Sequence, residues 1–254
     1  MTLKTLQGLH VIVTRTRTQA SVLRSELERR GATVLEVPAM ELQDLDGWES
    51  QVFTDQPWDW TVITSKNAAE RIARVIRMGK GRHEQLGRIA ATGNATARYL
   101  EKYGLSPQLV PERYIAEALA EAMIARGVEG QRIVLPRAED ARAVLPDALR
   151  AAGADVHVVP IYRAEIPEGS LSILQASAGM KPDLVTFASS KTARHFAELL
   201  HESGVDEWFS LPAAAIGPVT AETASDLGFT VVAMPDQHTI SSLVDSIEGW
   251  HTVH

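Results

Sequence analysis

One turn of this sequence occurs twice, 124 residues apart. The first copy, IAATGNATARYLEKYG, spans residues 89–104, and the second, AAAIGPVTAETASDLG, spans residues 213–228. Each copy consists of a short apolar run, a glycine and a helical pattern that ends at a second glycine. A match at a fixed spacing indicates internal duplication, and it predicts that other segments of the chain match at a similar spacing.

Further segments do match in this way. GLHVIVTR, which starts at Gly8, corresponds to GQRIVLPR, which starts at Gly130, so that Arg15 corresponds to Arg137 at a spacing of 122 residues. The same spacing aligns Pro38 with Pro160. The matches that follow, at a spacing of 124, are Asp59 with Asp183, Ser65 with Ser189, Pro111 with Pro235 and Leu119 with Leu243. The sequence therefore predicts that a unit of about 125 residues is present twice.

Each half alternates short apolar strands with amphipathic helices. HVIVT is a β-branched run, and the helical pattern after it ends at Gly31, a typical position for a helix stop. DWTVIT, RIAAT and PQLVP are further predicted strands, separated by helical patterns such as SKNAAERIARVI. This alternation predicts the α/β class, with two doubly wound parallel-sheet domains that arose by internal duplication.

Composition excludes several classes of function. The 254 residues are 45% hydrophobic and 22% charged, which is typical of a globular protein with room for two domains. The net charge is -7 and no dense basic block occurs, so we expect no nucleic-acid partner. No apolar run reaches the roughly 20 residues of a membrane span, and the amino terminus lacks the pattern of a signal peptide. We therefore expect a cytoplasmic protein with no membrane partner.

Cysteine is absent, which excludes disulfides and thiol chemistry. The histidines are scattered, and the chain has no glycine-rich dinucleotide motif, P-loop or nucleophile elbow. We therefore expect neither a metal site nor a cofactor.

The candidate binding residues follow from the fold class, because ligands of parallel sheets bind outside the carboxyl ends of the strands. At such a turn a glycine lets the backbone approach a ligand, and the free N–H groups of the next helix donate to an anion. The candidates are Gly93, Asn94, Thr96, Gly217 and Thr220 in the duplicated turns, Ser65, Ser189, Ser190 and Lys191 in TSKNA and ASSKTA, and Arg15 and Arg137 after strands. The pattern predicts two facing anion sites.

Each of these candidates also has a purely structural interpretation. The glycine and threonine of the turns suit turn geometry and helix capping, and the serines suit capping equally well. Arginines that follow strands are commonly solvated, and Tyr162 could pack between layers.

The ordered set of motifs resembles the uroporphyrinogen-III synthase family. The motifs are TSKNA, AATGNATARYL, IVLPRAEDARAVLPDALRAAGADVHVVPIYR, FASSKTA and AAIGPVTA, within a stretch from about residue 8 to 247. The resemblance implies two α/β domains joined by a two-stranded β-ribbon hinge. Residues 1–37 and 164–254 would form one discontinuous domain, residues 40–161 the inserted domain, and residues 36–42 and 158–165 the linker strands.

The same resemblance implies a cofactor-independent lyase of heme biosynthesis. Its substrate would be hydroxymethylbilane, a linear tetrapyrrole with eight carboxylates, which closes to uroporphyrinogen III with inversion of ring D and loss of water. Tyr162 matches the tyrosine of the family's V-x-x-Y segment and is the candidate general acid. The hydroxyl and backbone donors would hold the substrate's carboxylates, and Arg15, Arg137 and Lys191 would supply positive charge. We expect a monomer.

Two other functions suit a duplicated α/β chain. A non-catalytic two-domain hinge protein that closes on a small polyanionic ligand fits by physics alone, although the lack of a signal peptide disfavours a periplasmic binder. A nucleotide-sugar transferase is disfavoured because the chain has no evident nucleotide motif.

Overall fold

The computed structural model describes residues 4–15 and 17–253. They divide into two compact units. Unit 1 contains the chain up to Glu41 and again from Ala164 onward, and unit 2 is Leu42–Arg163. Within the described ranges no helix is both long enough and apolar enough to cross a membrane.

The strands, in chain order, are β1 (His10–Val13), β2 (Thr33–Glu36), β3 (Glu41–Asp44), β4 (Trp60–Ile63), β5 (Arg88–Ala91), β6 (Arg132–Ala138), β7 (Asp155–Glu165), β8 (Leu184–Phe187), β9 (Pro212–Ala215) and β10 (Thr230–Ala233). The α-helices are α1 (Arg17–Arg29), α2 (Trp48–Val52), α3 (Lys66–Arg77), α4 (Asn94–Glu101), α5 (Ala116–Ile124), α6 (Val144–Ala151), α7 (Ser170–Ala176), α8 (Ser190–Ser203), α9 (Pro218–Asp226) and α10 (Ile240–His251). Short 3-10 helices span His83–Leu86 and Asp206–Ser210.

The sheet of unit 1 has the strand order β10-β9-β8-β1-β2, and every neighbouring pair is parallel. Ile12 in β1 lies beside Leu35 of β2 and Val185 of β8. The chain first adds β2 on one side of β1 and later adds β8, β9 and β10 on the other. The strand order therefore reverses between β1 and β8, as in flavodoxin-like sheets.

The sheet of unit 2 has the strand order β3-β7-β6-β4-β5. Its β4–β5, β4–β6 and β6–β7 pairs are parallel. Here the chain adds β5 on one side of β4 and then β6 and β7 on the other, so the order reverses between β4 and β6. Each unit thus has one such reversal point between two parallel strands.

The predicted strand PQLVP does not form. Leu109 makes only an isolated parallel bridge with Ala90, through hydrogen bonds from Gln108 N to Ile89 O and from Ala91 N to Leu109 O. The segment is bounded by Pro107 and Pro111, which have no N–H to donate, so the ladder cannot extend. The corresponding segment of the other half does form a strand, β10.

Both faces of each sheet are covered by apolar side chains. In β1, Ile12 belongs to a buried cluster with Phe187, whereas Val11 and Val13 belong to a second cluster with Leu23. Alternate residues of β4 in unit 2 divide between two clusters in the same way. The prediction of an α/β protein with parallel sheets that are buried on both faces is therefore confirmed.

Candidate functional site

The candidate residues lie at the carboxyl ends of parallel strands in both units. In unit 2, Ser65 follows β4 and Arg137 lies near the end of β6, so these two residues flank the point where the strand order reverses. In unit 1, Arg15 follows β1 and Ser189 follows β8, which flank the equivalent point. In open α/β sheets such reversal points are where ligands bind.

Tyr162 lies on β7 at an irregularity of the sheet. The pairing of β6 with β7 shifts register there, because Arg137 pairs with Pro160 and Ala138 pairs with Tyr162. Ile161 and Tyr162 are consequently both buried, which breaks the alternation of the strand. A bulge of this kind re-aims a side chain. Tyr162 is 6% exposed and belongs to the main core cluster of unit 2, so the packing interpretation of this residue is correct as far as its ring is concerned.

The hydroxyl of Tyr162 has a polar partner. Tyr162 Oη and Ser65 Oγ are hydrogen bonded at 3.1 Å. Ser65 is also the N-cap of α3, since its Oγ accepts from the backbone N of Ala68 at 3.1 Å. The phenol oxygen therefore lies at the amino end of α3, the end of a helix that favours negative charge.

Two arginines lie around this tyrosine. The guanidinium carbon of Arg71, on α3, is 4.4 Å from the centroid of the Tyr162 ring. Arg137 is buried, not solvated as the structural interpretation had it, and it donates to the carbonyl of Arg142 at 2.5 Å. Burial lowers the pKa of Arg137, and interactions with Tyr162, Asp140 and Asp147 oppose that lowering. A guanidinium remains protonated at neutral pH in spite of such a shift.

The first duplicated turn begins helix α4. Gly93 is the N-cap, and its φ of -165° is ordinary extended backbone, so no left-handed conformation requires glycine there. A Cβ at this position would lie 3.1 Å from the side chain of Tyr114. Asn94, the next residue, donates its side-chain amide to the hydroxyl of Tyr114. The glycine thus makes room for a ring of the protein itself.

The second duplicated turn has the same construction in unit 1. Gly217 is the N-cap of α9 with a φ of -174°, and Pro218 is the first helical residue, as expected for a residue that lacks an N–H. A Cβ at Gly217 would lie 3.1 Å from the ring of His238. His238 and Tyr114 are themselves 124 residues apart.

Thr96 and Thr220 are not helix caps. The caps of α4 and α9 are the glycines, and each threonine lies at the third helical position, buried at 6% exposure. The capping interpretation was therefore wrong for both threonines. It was right for Ser65 and for Ser189, whose Oγ accepts from Thr192 N at 3.2 Å.

The remaining candidates also lie in unit 1. Ser190 donates to the carbonyl of Val219 at 3.1 Å and accepts from the Thr223 hydroxyl at 2.9 Å, which ties α8 to α9. Lys191 lies in the first turn of α8 and is half-buried. Arg15 is half-buried, and burial lowers the pKa of its guanidinium.

Sequence reasoning missed Arg71 and Tyr114. Arg71 occupies a helical position three residues after Ala68 and four before Val75, which are both buried, so an arginine in that apolar stripe was a detectable signal. Tyr114 could be found only by extending the alignment of the two halves at a spacing of 124 residues, which places Tyr114 opposite His238.

Comparisons with known proteins agree on one family. Residues 21–245 match the family profile described as uroporphyrinogen-III synthase HemD. The uroporphyrinogen-III synthase of Synechococcus elongatus is 31% identical, and the match covers 96% of each chain. A putative uroporphyrinogen-III synthase of Methanothermobacter thermautotrophicus is 29% identical, over 87% of this chain and 90% of its own length.

Solved structures share the fold. A mutant uroporphyrinogen III synthase from the extremely thermophilic bacterium Thermus thermophilus gives a TM-score of 0.64 at 17% identity, over 97% of this chain and 100% of its own. The uroporphyrinogen-III synthetase of Helicobacter pylori gives 0.59 at 14% identity, over 93% and 97%. These identities support the fold alone, whereas the profile match and the Synechococcus relative establish kinship. This chain belongs to the uroporphyrinogen-III synthase family.

Proposed function

We propose that this chain closes hydroxymethylbilane to uroporphyrinogen III, with inversion of ring D and loss of water, as a step of heme and tetrapyrrole biosynthesis. The observation that carries the proposal is the match of residues 21–245 to the family profile. The same match favours a cofactor-independent lyase over the alternative of a non-catalytic hinge protein that only binds a polyanion.

The proposed reaction starts at ring A of the linear tetrapyrrole. Loss of the hydroxyl as water leaves an electrophilic azafulvene, and ring D attacks it through its substituted α-carbon. The resulting spiro intermediate fragments and recloses with ring D inverted. Because the bilane also closes without inversion, the enzyme's main task is to hold one folded conformation, which is an effect of proximity and orientation.

We assign the general acid for the departing hydroxyl to Tyr162. Its Oη is hydrogen bonded to Ser65 Oγ, which already accepts from Ala68 N. When the Ser65 hydroxyl donates to the phenol oxygen, the phenol's own proton is available to the substrate. The oxygen also lies at the amino end of α3, where negative charge left by the departing proton is favoured.

The carboxylate arms would bind at the beginnings of α3, α4, α8 and α9. Each of these helices follows a strand, and the backbone N–H groups of a first helical turn have no partner within the helix. The hydroxyls of Thr96, Ser189 and Thr220 would add donors, whereas Ser65 would act through the phenol oxygen to which its hydroxyl donates. The amide of Asn94 and the hydroxyl of Ser190 lie in the same first turns. Arg15, Arg137 and Lys191 would give local positive charge in a chain whose net charge is -7.

The finer organisation also belongs to the proposal. The two sheets have corresponding strand orders, which supports an internal duplication. We propose residues 1–37 with 164–254 and residues 40–161 as the two domains, with residues 36–42 and 158–165 as a two-stranded hinge. The protein would act as a cytoplasmic monomer.

Product analysis tests the proposed function. The purified chain is incubated with enzymatically generated hydroxymethylbilane, and the III and I isomers of the product are separated. We expect isomer III in the presence of the native protein and isomer I in a matched sample with heat-denatured protein. The same isomer ratio and rate in both samples would rule out catalysis.

A further inference from the structure

Arg71 is a buried charge that the candidate site does not yet use. The residue is 8% exposed and sits on α3, on the same helical face as Ala68 and Val75. Its Nε donates to Asp44 Oδ1 at 2.6 Å, and its Nη1 donates to the carbonyl of Asn67 at 3.1 Å. The guanidinium is thus held at fixed points on β3 and on its own helix.

The position of the guanidinium is defined relative to Tyr162. Its central carbon lies 4.4 Å from the centroid of the Tyr162 ring, within the range of a cation–π contact. Ser65, which begins the same helix, holds the hydroxyl of that ring at 3.1 Å. Helix α3 and its cap therefore contact Tyr162 at two points, the ring and the oxygen.

Stability alone does not explain an arginine at this place. Burial of the Arg71 guanidinium costs desolvation, its partner Asp44 is partly exposed, and well-packed apolar residues often replace buried charges without loss of stability. Asp44 does not depend on Arg71 for a partner, because Arg74, three residues further along α3 and exposed to solvent, also forms an ion pair with this carboxylate. Beyond the ion pair and the hydrogen bond to the carbonyl of Asn67, Arg71 adds a positive charge against the ring of Tyr162.

The corresponding positions in the other half differ together. His195 occupies the place of Arg71 at the spacing of 124, and Met40 occupies the place of Tyr162 at the spacing of 122. His195 donates from its Nδ1 to the carbonyl of Ala39 at 2.9 Å. Ser65 is matched by Ser189, which caps its helix in the same way. The cap is common to both halves, whereas the phenol and its guanidinium have no counterparts at the matching positions of unit 1.

We propose that Arg71 is a positioning residue for Tyr162. It fixes the plane of the ring and favours the negative charge that develops on the phenol as the proton leaves. This inference rests on the role proposed for Tyr162. In that step the phenol O–H bond breaks, its proton goes to the hydroxyl oxygen of the substrate, and the C–O bond breaks to release water. The ring closure that follows releases one proton, which restores the phenol.

Steady-state kinetics of Arg71→Gln test the proposal. Loss of a desolvated cation–π contact and of its charge should lower kcat by about tenfold or more. KM should change by no more than about threefold, because Arg71 acts on the proton donor rather than on the substrate. Arg74→Gln is the matched control, since Arg74 shares Asp44 with Arg71, and its kcat should stay within about twofold of the wild-type value.

A double-mutant cycle separates positioning from structural support. In a Tyr162→Phe background no phenol proton remains, so Arg71→Gln should lower kcat by less than about twofold. An equal loss of kcat in both backgrounds would show that Arg71 acts independently of the phenol and would overturn the proposal. So would a normal kcat of Arg71→Gln in the wild-type background.

Arg71→Lys keeps the experiment decisive if the glutamine variant unfolds. Lysine keeps the charge and the ion pair with Asp44 but not the planar guanidinium, so kcat should fall between the wild-type value and that of Arg71→Gln.

Failure of the proposed function can be told apart from failure of this inference. If the wild-type chain yields no isomer III, that function is wrong. If it does, and Tyr162→Phe is slow while both Arg71 variants are fast, this inference alone is wrong.

Discussion

At the scale of single residues, Tyr162 packs in the core and also has a polar partner for its hydroxyl, so the structural interpretation does not exclude the proposed catalytic one. Its ring belongs to the hydrophobic cluster of unit 2, and its oxygen is hydrogen bonded to Ser65 at 3.1 Å. A buried tyrosine normally needs such a partner for its hydroxyl. Here the partner is the cap of a helix, which places the phenol oxygen among groups that favour negative charge.

Tyr162→Phe separates these roles, because it removes the hydroxyl and keeps the ring. If the phenol donates the proton, turnover should fall by about 10²-fold or more. The product that is still formed should be isomer III, because the folding of the bilane depends on its carboxylate contacts. The measurement is kcat together with isomer separation. Turnover close to the wild-type value would remove Tyr162 from the mechanism and leave conformational steering as the whole of catalysis.

At the scale of secondary structure, the four helices that carry candidate residues in their first turns begin in two ways. Helices α3 and α8 begin with a serine cap, and helices α4 and α9 begin with a glycine that is covered by a ring, Tyr114 or His238. In the second kind the threonine at the third helical position is not needed as a cap. Its hydroxyl is therefore available for a different role.

Thr96→Val and Thr220→Val test that role. If the hydroxyls bind carboxylates of one substrate, each change should lower kcat/KM by about tenfold, the value of one charge-assisted hydrogen bond. The free energy of unfolding should change by less than about 1 kcal/mol, because no cap is lost.

The matched control for this pair is Thr239→Val. Thr239 does cap α10, since its hydroxyl accepts from Ser242 N at 3.2 Å. Its loss should therefore lower the free energy of unfolding by about 1 kcal/mol and leave kcat/KM unchanged. Thr96 and Thr220 variants that behaved like Thr239→Val, with lost stability and normal turnover per folded molecule, would contradict a binding role.

Much of the fold could be predicted from the sequence because local signals and tertiary packing agree. The strands with β-branched runs and the stop at Gly31, whose φ is 98°, follow from local preference. The prediction of a strand at PQLVP failed because its prolines limit pairing, an effect that hydrophobicity does not report.

The candidate site was less predictable, since it depends on contacts between elements distant in the sequence. The register shift beside Tyr162 and the approach of Arg71 to its ring both arise from how β6, β7 and α3 pack. Neither feature can be recognised from the spacing of residues in the sequence. The glycines of the duplicated turns were interpreted as places where a ligand approaches the backbone, whereas the structure shows rings of the protein next to them.

At the scale of the whole molecule, the chain passes from unit 1 to unit 2 after Glu41 and returns after Arg163. Only these two crossings join the units. If residues of both units bind carboxylates of one substrate, as proposed, we expect the angle between the units to change on binding while each unit stays rigid.

Small-angle scattering of the protein with and without product tests this expectation. The profile should change on binding, while thermal unfolding of each sample stays cooperative. Superimposable profiles at a saturating concentration of product would contradict a hinge.

The unequal pairs Arg71 with Tyr162 and His195 with Met40 have a consequence for evolution. A gene duplicated internally, as proposed for this chain, starts with two copies of each position, and either copy is free to change where the other still functions. Once the phenol and its guanidinium exist in a single copy, that redundancy has ended. If Arg71 and Tyr162 act as proposed, a substitution at either residue has no backup, since His195 and Met40 stand at the matching positions of unit 1.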